Sequence, residues 1–482
     1  MKRKKFILSI ITFSVLTLSS CSDFLDTVPH DSLNSDNALE SIGDFNNTTN
    51  SVYESIRSDA YLANFNLMVP DVMSDNLVLS RDGRLIWNEF ADFQFYADTY
   101  GVEGMWSSAY NGILGANEVI TRLQGNDALF TDTVEAKLAK NLLAEALALR
   151  GMIHFDLVRW YGKDYKKASA SDLGVTYKKD TETDFPARNT VKEVYEWLVE
   201  DLEAAKSLME NSYNEKINYR LNKKSVNAIL ARVYLTMGEN QKAVGCATAA
   251  IEGTGADMAD IEGFTKVYTT SMAVPEVLFR IAIKSDDKYL PGNDWGQGSA
   301  DSYIANYSVS YSFREMFSST DCRRGLIKLA TCKSGDCYVV WKWVNGGASA
   351  GLVDIPVIRA TEMYLTRAEA NYNLGKQDAA LADLNLVKAK RYSDYEAGTE
   401  SGQPLEVAIQ LQRRLDLAFE GHRFFDLKRR GENVSRDDKG FLADGSGTPA
   451  VALEVPSTSP YYVLPIPQRE MDANENMIQN TY

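Results

Sequence analysis

A stretch that repeats itself constrains the fold of this chain more than any other feature. Residues Pro356 to Arg391, PVIRATEMYLTRAEANYNLGKQDAALADLNLVKAKR, read as two short amphipathic helices joined at Gly375. The segment Asn222 to Gly253 has the same plan, with Ala231, Gly238 and Ala243 preceding Ala368, Gly375 and Ala380 by a constant 137 residues. Small residues at such positions let antiparallel helices approach, and the glycine ends the first helix. The pattern approximates the tetratricopeptide unit of roughly 34 residues. One such pair cannot bury its apolar face alone, so the units must stack with others into a platform.

The rest of the chain can be sorted around that platform. Length alone suggests about three domains, but two matching units more than a hundred residues apart should belong to one stack, so a single domain is expected over residues 42–482. Its helix pairs lie mainly in 101–253 and 356–430. Period predicts helices at Gly43–Ser58, Gly101–Leu123, Glu135–Tyr161 and Ala408–Phe419. Another helix opens at Thr190, where Thr190-x-x-Glu193 forms a capping box ahead of Val191, Val194, Leu198 and Leu202. Two loop-rich excursions, about 61–100 and 254–355, interrupt the pattern, and short runs in the second, Val277–Ile283 and Val339–Val344, are strand-like. Residues 431–482 form a C-terminal strap that Pro465 and Pro467 hold extended. The expected class is mainly α: a tetratricopeptide-like helical platform with long loop-rich insertions and a few short strands.

At the amino end, Lys2 to Lys5 supply a basic region, Phe6 to Leu18 an apolar run, and Leu18-Ser19-Ser20-Cys21 a lipobox. The apolar run is too short and too mixed with Ser and Thr to cross a bilayer of about 30 Å. Residues 1–20 therefore read as a removed lipoprotein signal peptide. Cys21 is the lipidation site, and residues 21–41 are a lipidated tether. Two or more acyl chains would hold the protein stably to a lipid bilayer.

The formal charge is −15. Loss of the first twenty residues, with Lys2, Arg3, Lys4 and Lys5 and no acid, takes −15 to −19. A chain this acidic repels phosphate backbones and has no basic stripe with interleaved aromatics, so nucleic acid is excluded as a partner. His30, His154 and His422 lie far apart, and none belongs to an H-E-x-x-H arrangement, so no metal site is expected. There is no G-x-S-x-G, P-loop or G-x-G-x-x-G, which leaves no support for a catalytic nucleophile or nucleotide cofactor. Carboxylate pairs for glycoside hydrolysis are a weak competing reading, since 66 acids make some pair inevitable. The expectation is a binding protein, with no catalytic residues and no cofactor.

Ligand contacts are expected from the two excursions. A sugar ring presents C–H groups on its faces and hydroxyls at its rim, so gripping it takes a flat aromatic surface flanked by amides, carboxylates or guanidinium groups. Asp75, Arg81, Trp87 and Asn88 supply one such wall, and Asn293, Trp295 and Tyr303 a second. The plainer reading of Trp87 is a ring that packs down beneath a surface loop, and at least one of Trp341 and Trp343 is expected in the core. Arg150, Asp156 and Arg159 are expected as ion pairs within the stack, and His154 as a structural histidine. Cys332-KSGD-Cys337 could close a hairpin disulfide, Cys322 with either partner is the rival, and Cys246 is expected buried and free.

Taken in order, several motifs resemble the SusD/RagB family of Bacteroidetes outer-membrane lipoproteins along nearly the whole chain. They are the lipobox at Cys21; Leu149-Arg150 followed by Phe155-Asp156-Leu157-Val158-Arg159-x-Tyr161-Gly162; Pro186-Ala187-Arg188-x-Thr190-Val191; Arg367-Ala368-Glu369-Ala370; Glu420-Gly421-x-Arg423-x-x-Asp426-Leu427-Lys428-Arg429; and Leu464-Pro465-Ile466-Pro467 with Asn480. Thr176, Asp416 and Thr481 depart from the usual family residues. The resemblance implies a SusD-like fold of about four helix pairs, with loops forming the ligand surface. It implies a lipid-anchored protein on the outer membrane, facing outward, that binds oligosaccharide or polysaccharide and caps a SusC-type TonB-dependent transporter. Some members handle peptides instead, and a RagB-like peptide-uptake role is the alternative.

Overall fold

The computed structural model describes residues 39–252, 257–269, 274–287, 289–344 and 351–481. The signal peptide and Cys21 lie outside these residues, as does most of the tether. The chain divides into two units, Met1–Phe45 and Asn46–Tyr482. In the described part of the first, Ser41 N and Oγ both donate to Asp44 Oδ2 at 2.8 Å, a capping arrangement at a helix start.

The longer helices are α1 Ile42–Ile56, α2 Phe65–Val72, α3 Tyr100–Leu123, α4 Thr133–Tyr161, α5 Val191–Leu208, α6 Lys223–Met237, α7 Asn240–Ile251, α8 Ala360–Asn373, α9 Gln377–Ala389, α10 Gln403–Asp416 and α11 Arg423–Arg430. Neighbours in sequence pack on one another from α3 through α7, and α7 then packs on α8, so the two repeat units lie side by side despite their separation. The glycines that end their first helices, Gly238 and Gly375, have φ of 81° and 75°, a region open to glycine at little steric cost. Ala368, Ala380, Leu384, Leu405 and Ile409 form one buried cluster where α8, α9 and α10 meet. Thr190 and Glu193 complete the capping box at α5.

Charged residues knit the stack from inside. Arg150 Nε and Nη2 reach Asp201 on α5 at 2.6 and 2.8 Å, and Asp156 pairs with Arg159 while accepting from Tyr61 Oη at 2.8 Å. Arg188 Nη2 donates to Asn480 Oδ1 at 2.9 Å. Asn480 Nδ2 donates to the carbonyls of Tyr161 and Leu464 at 3.0 and 2.7 Å, so three separate sequence motifs meet where the strap crosses the end of α4.

The excursions are ordered by short strands: β1 Leu77–Leu79, β2 Val277–Ile281, β3 Gly296–Ser299, β4 Ser302–Ala305, β5 Tyr307–Val309, β6 Ile327–Cys332, β7 Gly335–Val340 and β8 Ile355–Arg359. Antiparallel β2 and β8 close the base of the second excursion and lead directly into α8. In the four-stranded sheet β1-β5-β7-β6, Leu77 pairs with Val309, which joins the first excursion to the second.

Two local expectations are corrected. The helix expected at Ala408–Phe419 runs Gln403–Asp416, because Pro404 suits the first helical turn and the chain leaves the helix before Phe419, whose φ is 66°. Val339–Val344 is not one strand: β7 ends at Val340 and residues 342–344 turn inward. Trp343 is consequently fully buried with Nε1 donating to Phe419 O at 2.9 Å, while Trp341 stays half-buried with Lys328 Nζ 4.4 Å from its ring centroid. Cys332 and Cys337 are disulfide-bonded across the β6–β7 hairpin, and Cys246 and Cys322 are free.

Candidate ligand-binding site

The two excursions close on each other at Gly83. A Cβ there would lie 2.3 Å from Ala305 O and 2.6 Å from Asn306 Oδ1, so only glycine permits the approach. Around that contact the backbone is bonded across: Arg84 N donates to Asn306 Oδ1 at 2.7 Å, and Tyr307 Oη to Ile86 O at 2.6 Å. Held this way, Leu85 and Trp87 both adopt left-handed backbone, with φ of 54° and 58°. Such a conformation costs a non-glycine residue about 1 kcal/mol or more and persists only where surroundings enforce it.

The strain aims the Trp87 indole at the start of α3. Gly101 makes room for it, since a Cβ there would fall 2.5 Å from Phe65 Cε2 and 2.9 Å from Trp87 Cζ3. Trp87 lies edge-on to Phe65 and nearly parallel to Tyr100, with ring centroids 6.2 Å apart and planes 9° apart. Trp87 is half-buried, whereas Tyr100 is 63% exposed and nearby Tyr96 66%. The outer ring of an aromatic pair is thus open to solvent.

Polar groups border this pair on one side. Trp87 Nε1 donates to Asn64 Oδ1 at 3.1 Å, and Asn64 Nδ2 donates to Asp294 Oδ2. Asp294 also accepts from Arg84 Nη2 and from Tyr289 Oη, each at 2.9 Å, and Arg84 reaches the carbonyl of Asn293 as well. Burial raises the Tyr289 phenol well above its ordinary range, and Asp294 and Asp59 add to it. Asp59, exposed at the rim, similarly adds to the burial that raises Tyr100. Chemically the arrangement offers a flat ring, a rim carboxylate, a half-exposed guanidinium and amide groups, with protons held by neutral phenols.

The expected residues divide sharply. Trp87 belongs to this cluster, and Asn293 joins it through its main-chain carbonyl, which accepts from Arg84. Asn88 opens the short helix Asn88–Ala91 directly after Trp87, and Arg81 sits at the rim with Nη2 3.7 Å from Asp92. The other three sit in the interior, which corrects the expectation of open ligand contacts. Asp75 is clamped by Arg423 and Arg414. Trp295 is only 2% exposed and lies edge-on to Phe419, and Tyr303 is 3% exposed against Trp341. Trp295, just ahead of β3, and Tyr303, on β4, both turn inward, so neither offers a face to solvent. Sequence reasoning did not single out Tyr100 or Asp59 as candidates; the cue for Tyr100 was an aromatic at a helix start, beside glycine, at the border of an excursion.

No cluster of three or more metal-ligating side chains occurs among the described residues, and no described helix is long and apolar enough to cross a membrane. An α-helical repeat platform carrying an aromatic and polar patch on ordered loops defines a ligand-binding class of protein. Comparison with known proteins narrows it. Residues 332–482 match the family described as the SusD family, and residues 23–235 match the one described as starch-binding, associating with outer membrane. The SusD-like protein P2 of Formosa agariphila is 24% identical over 98% of both chains. A solved SusD superfamily protein from Bacteroides thetaiotaomicron is 26% identical with a TM-score of 0.80, covering 92% of this chain and 100% of its own. Another, from Bacteroides vulgatus, is also 26% identical with a TM-score of 0.80, covering 92% and 99%. The chain belongs to the SusD/RagB family, an outer-membrane-associated family of carbohydrate-binding proteins.

Proposed function

We propose that this protein is a lipid-anchored, outward-facing glycan receptor that captures oligosaccharides at Trp87 and Tyr100 and passes them, as a lid, to a SusC-type TonB-dependent transporter. The observation that carries the reading is the exposed ring of Tyr100, parallel to strained Trp87, near Asp59, and linked from Trp87 through Asn64 and Asp294 to Arg84. C–H groups of a pyranose would lie on the ring while its hydroxyls bond to the carboxylate, guanidinium and amide at the rim. No bond is made or broken in this cycle; the protein binds and does not catalyse. The lipobox at Cys21 supports the anchor, and the broad helical face of the stack suits a large protein partner.

Calorimetry with a panel of neutral oligosaccharides and peptides tests the ligand class. Saturable glycan binding that Tyr100→Ala weakens supports the reading, whereas peptide binding without a glycan response replaces it with peptide uptake. The anchor is tested separately: Cys21→Ala should release the protein from the outer membrane, and retention would overturn lipidation. Co-purification of a stoichiometric barrel from native membranes tests the lid role, and its absence at native expression counts against it.

A further inference from the structure

A cavity of about 570 Å³ lies under the C-terminal strap, on residues that the glycan reading does not use. In a chain of net charge −15, the lining is basic among the described residues: Lys163, Lys167, Arg188 and Lys428 stand with two acids, Asp164 and Asp172. Much of that charge is already committed. Lys163 pairs with Asp172 at 2.5 Å, and Arg188 binds backbone carbonyls and Asn480. Two amines have no direct ion pair and share Asp164 as a neighbouring charge. Lys428 Nζ donates to the neutral carbonyls of Arg159 and Gly162 at 2.6 and 2.8 Å, and Lys167 is exposed with no ion pair among the described residues. Burial pulls the Lys428 amine down to about 7, with Arg159 and Lys167 adding to it and Asp164 opposing. An anion seated here would relieve the crowding.

The opposite wall supplies neutral donors. The Ser457-Thr458-Ser459 run lines the cavity, and Ser459 Oγ accepts from Tyr461 N, which leaves its hydroxyl proton free to donate outward. Four basic groups against two carboxylates leave the lining with a net charge of +2, and that charge facing several hydroxyls matches a compact oxyanion of charge near −2 with three acceptor oxygens, which is the chemistry of a phosphate monoester. A single carboxylate would balance only half of that charge. We propose that this cavity binds a phosphate group, carried either by a small soluble molecule or by a lipid headgroup at the membrane surface.

Titration calorimetry of the full folded domain with inorganic phosphate, at constant ionic strength set by chloride, tests the site. Saturable binding is expected, weakened roughly tenfold or more by Lys167→Glu, as loss of a charge-assisted contact implies. Lys140→Glu, roughly 30 Å away along α4, should leave it unchanged. Both lysines are exposed, so neither variant threatens folding. Co-sedimentation with phosphatidylcholine vesicles containing phosphatidic acid distinguishes the sources. Vesicle binding that Lys167→Glu abolishes assigns the lipid headgroup, and phosphate binding without vesicle binding assigns a soluble ester. No saturable response to either probe, or an equal response from Lys167→Glu, overturns the site, and neither result bears on the glycan titration.

Discussion

Arg423 on α11 grips Asp75 with two parallel hydrogen bonds, Nε to Oδ1 at 2.8 Å and Nη2 to Oδ2 at 2.9 Å. The pair bridges 348 residues of sequence and fastens the base of the first excursion to the platform. Arg414 approaches the same carboxylate at 3.2 Å, and the Arg423 and Arg414 contacts hold Asp75 below the ordinary carboxylate range despite a burial that raises it. Removing one partner of a buried pair leaves the other charge unbalanced, at a cost of about 3 kcal/mol. Asp75→Asn should therefore lower the urea midpoint clearly while leaving glycan affinity of the folded protein intact. Loss of affinity with unchanged stability would instead make Asp75 a ligand contact.

Trp87, Tyr100 and Trp295 should respond to truncation in different ways. Tyr100→Ala, at an exposed ring, should weaken glycan binding by roughly 1 to 3 kcal/mol, by analogy with stacking on bases, with little change in melting temperature. Trp87→Ala should lower both, because its ring is half-buried. Trp295→Ala empties a core position and should cost about 3 to 5 kcal/mol of stability. Calorimetry paired with thermal melts separates the three, and an unaltered glycan affinity in Tyr100→Ala would sink the assignment of the platform.

The helical platform was legible because its signals are local. Gly238 and Gly375 each end a helix at the position where the repeat spacing requires it, and Thr190 with Glu193 caps α5 within four residues. The motif around Arg150 to Gly162 was readable for the same reason. What sequence could not resolve was which way the aromatics of the excursions point. Trp87 and Trp295 stand in similar company of Asn, Asp and Gly, yet one is laid half-buried against Tyr100 by left-handed backbone at residues 85 and 87 while the other is folded into the core just ahead of a hairpin. That choice depends on Gly83 meeting Ala305 more than two hundred residues away, a relation without local period. Asp75 was misread on similar grounds, its partners Arg414 and Arg423 lying on distant helices.

The Cys332–Cys337 bond closes a short hairpin at one edge of the four-stranded sheet. Replacing both with serine should cost about 2 kcal/mol, since even a small closed loop restricts the unfolded chain. Cys322→Ser should change stability little. If Cys322→Ser were as damaging as the double variant, Cys322 would have to be a disulfide partner in the isolated protein.

Acid should destabilise the fold well before its arginine-paired carboxylates are protonated. Burial pulls His154 and His422 down to about 3 from the ordinary 6.5, so both are neutral in the native state across the mildly acidic range. His154 Nδ1 donates to Arg150 O at 2.9 Å, and Nε2 accepts from Lys178 N at 3.2 Å, a pattern that a second ring proton would break. The unfolded chain binds protons at both histidines below pH 6.5 and the folded chain does not, so stability falls as pH drops from 6.5 toward 3. Each histidine contributes about 2 kcal/mol of that loss by pH 5. Asp71 acts in the opposite direction. Burial raises it to about 6 from 3.8, so it favours the folded state at low pH and loses that contribution as pH rises through 6, offsetting one histidine in part. Burial also opposes Glu362, but Arg232 holds that carboxyl down at about 2, so its stabilisation persists until pH falls from about 4.5 toward 2. Urea unfolding at pH 7 and pH 5 should show a lower midpoint in acid. In His154→Gln, which can keep one donor and one acceptor, the difference should shrink, and equal midpoints for the wild-type protein at the two pH values would show that the histidines are not buried as neutral groups.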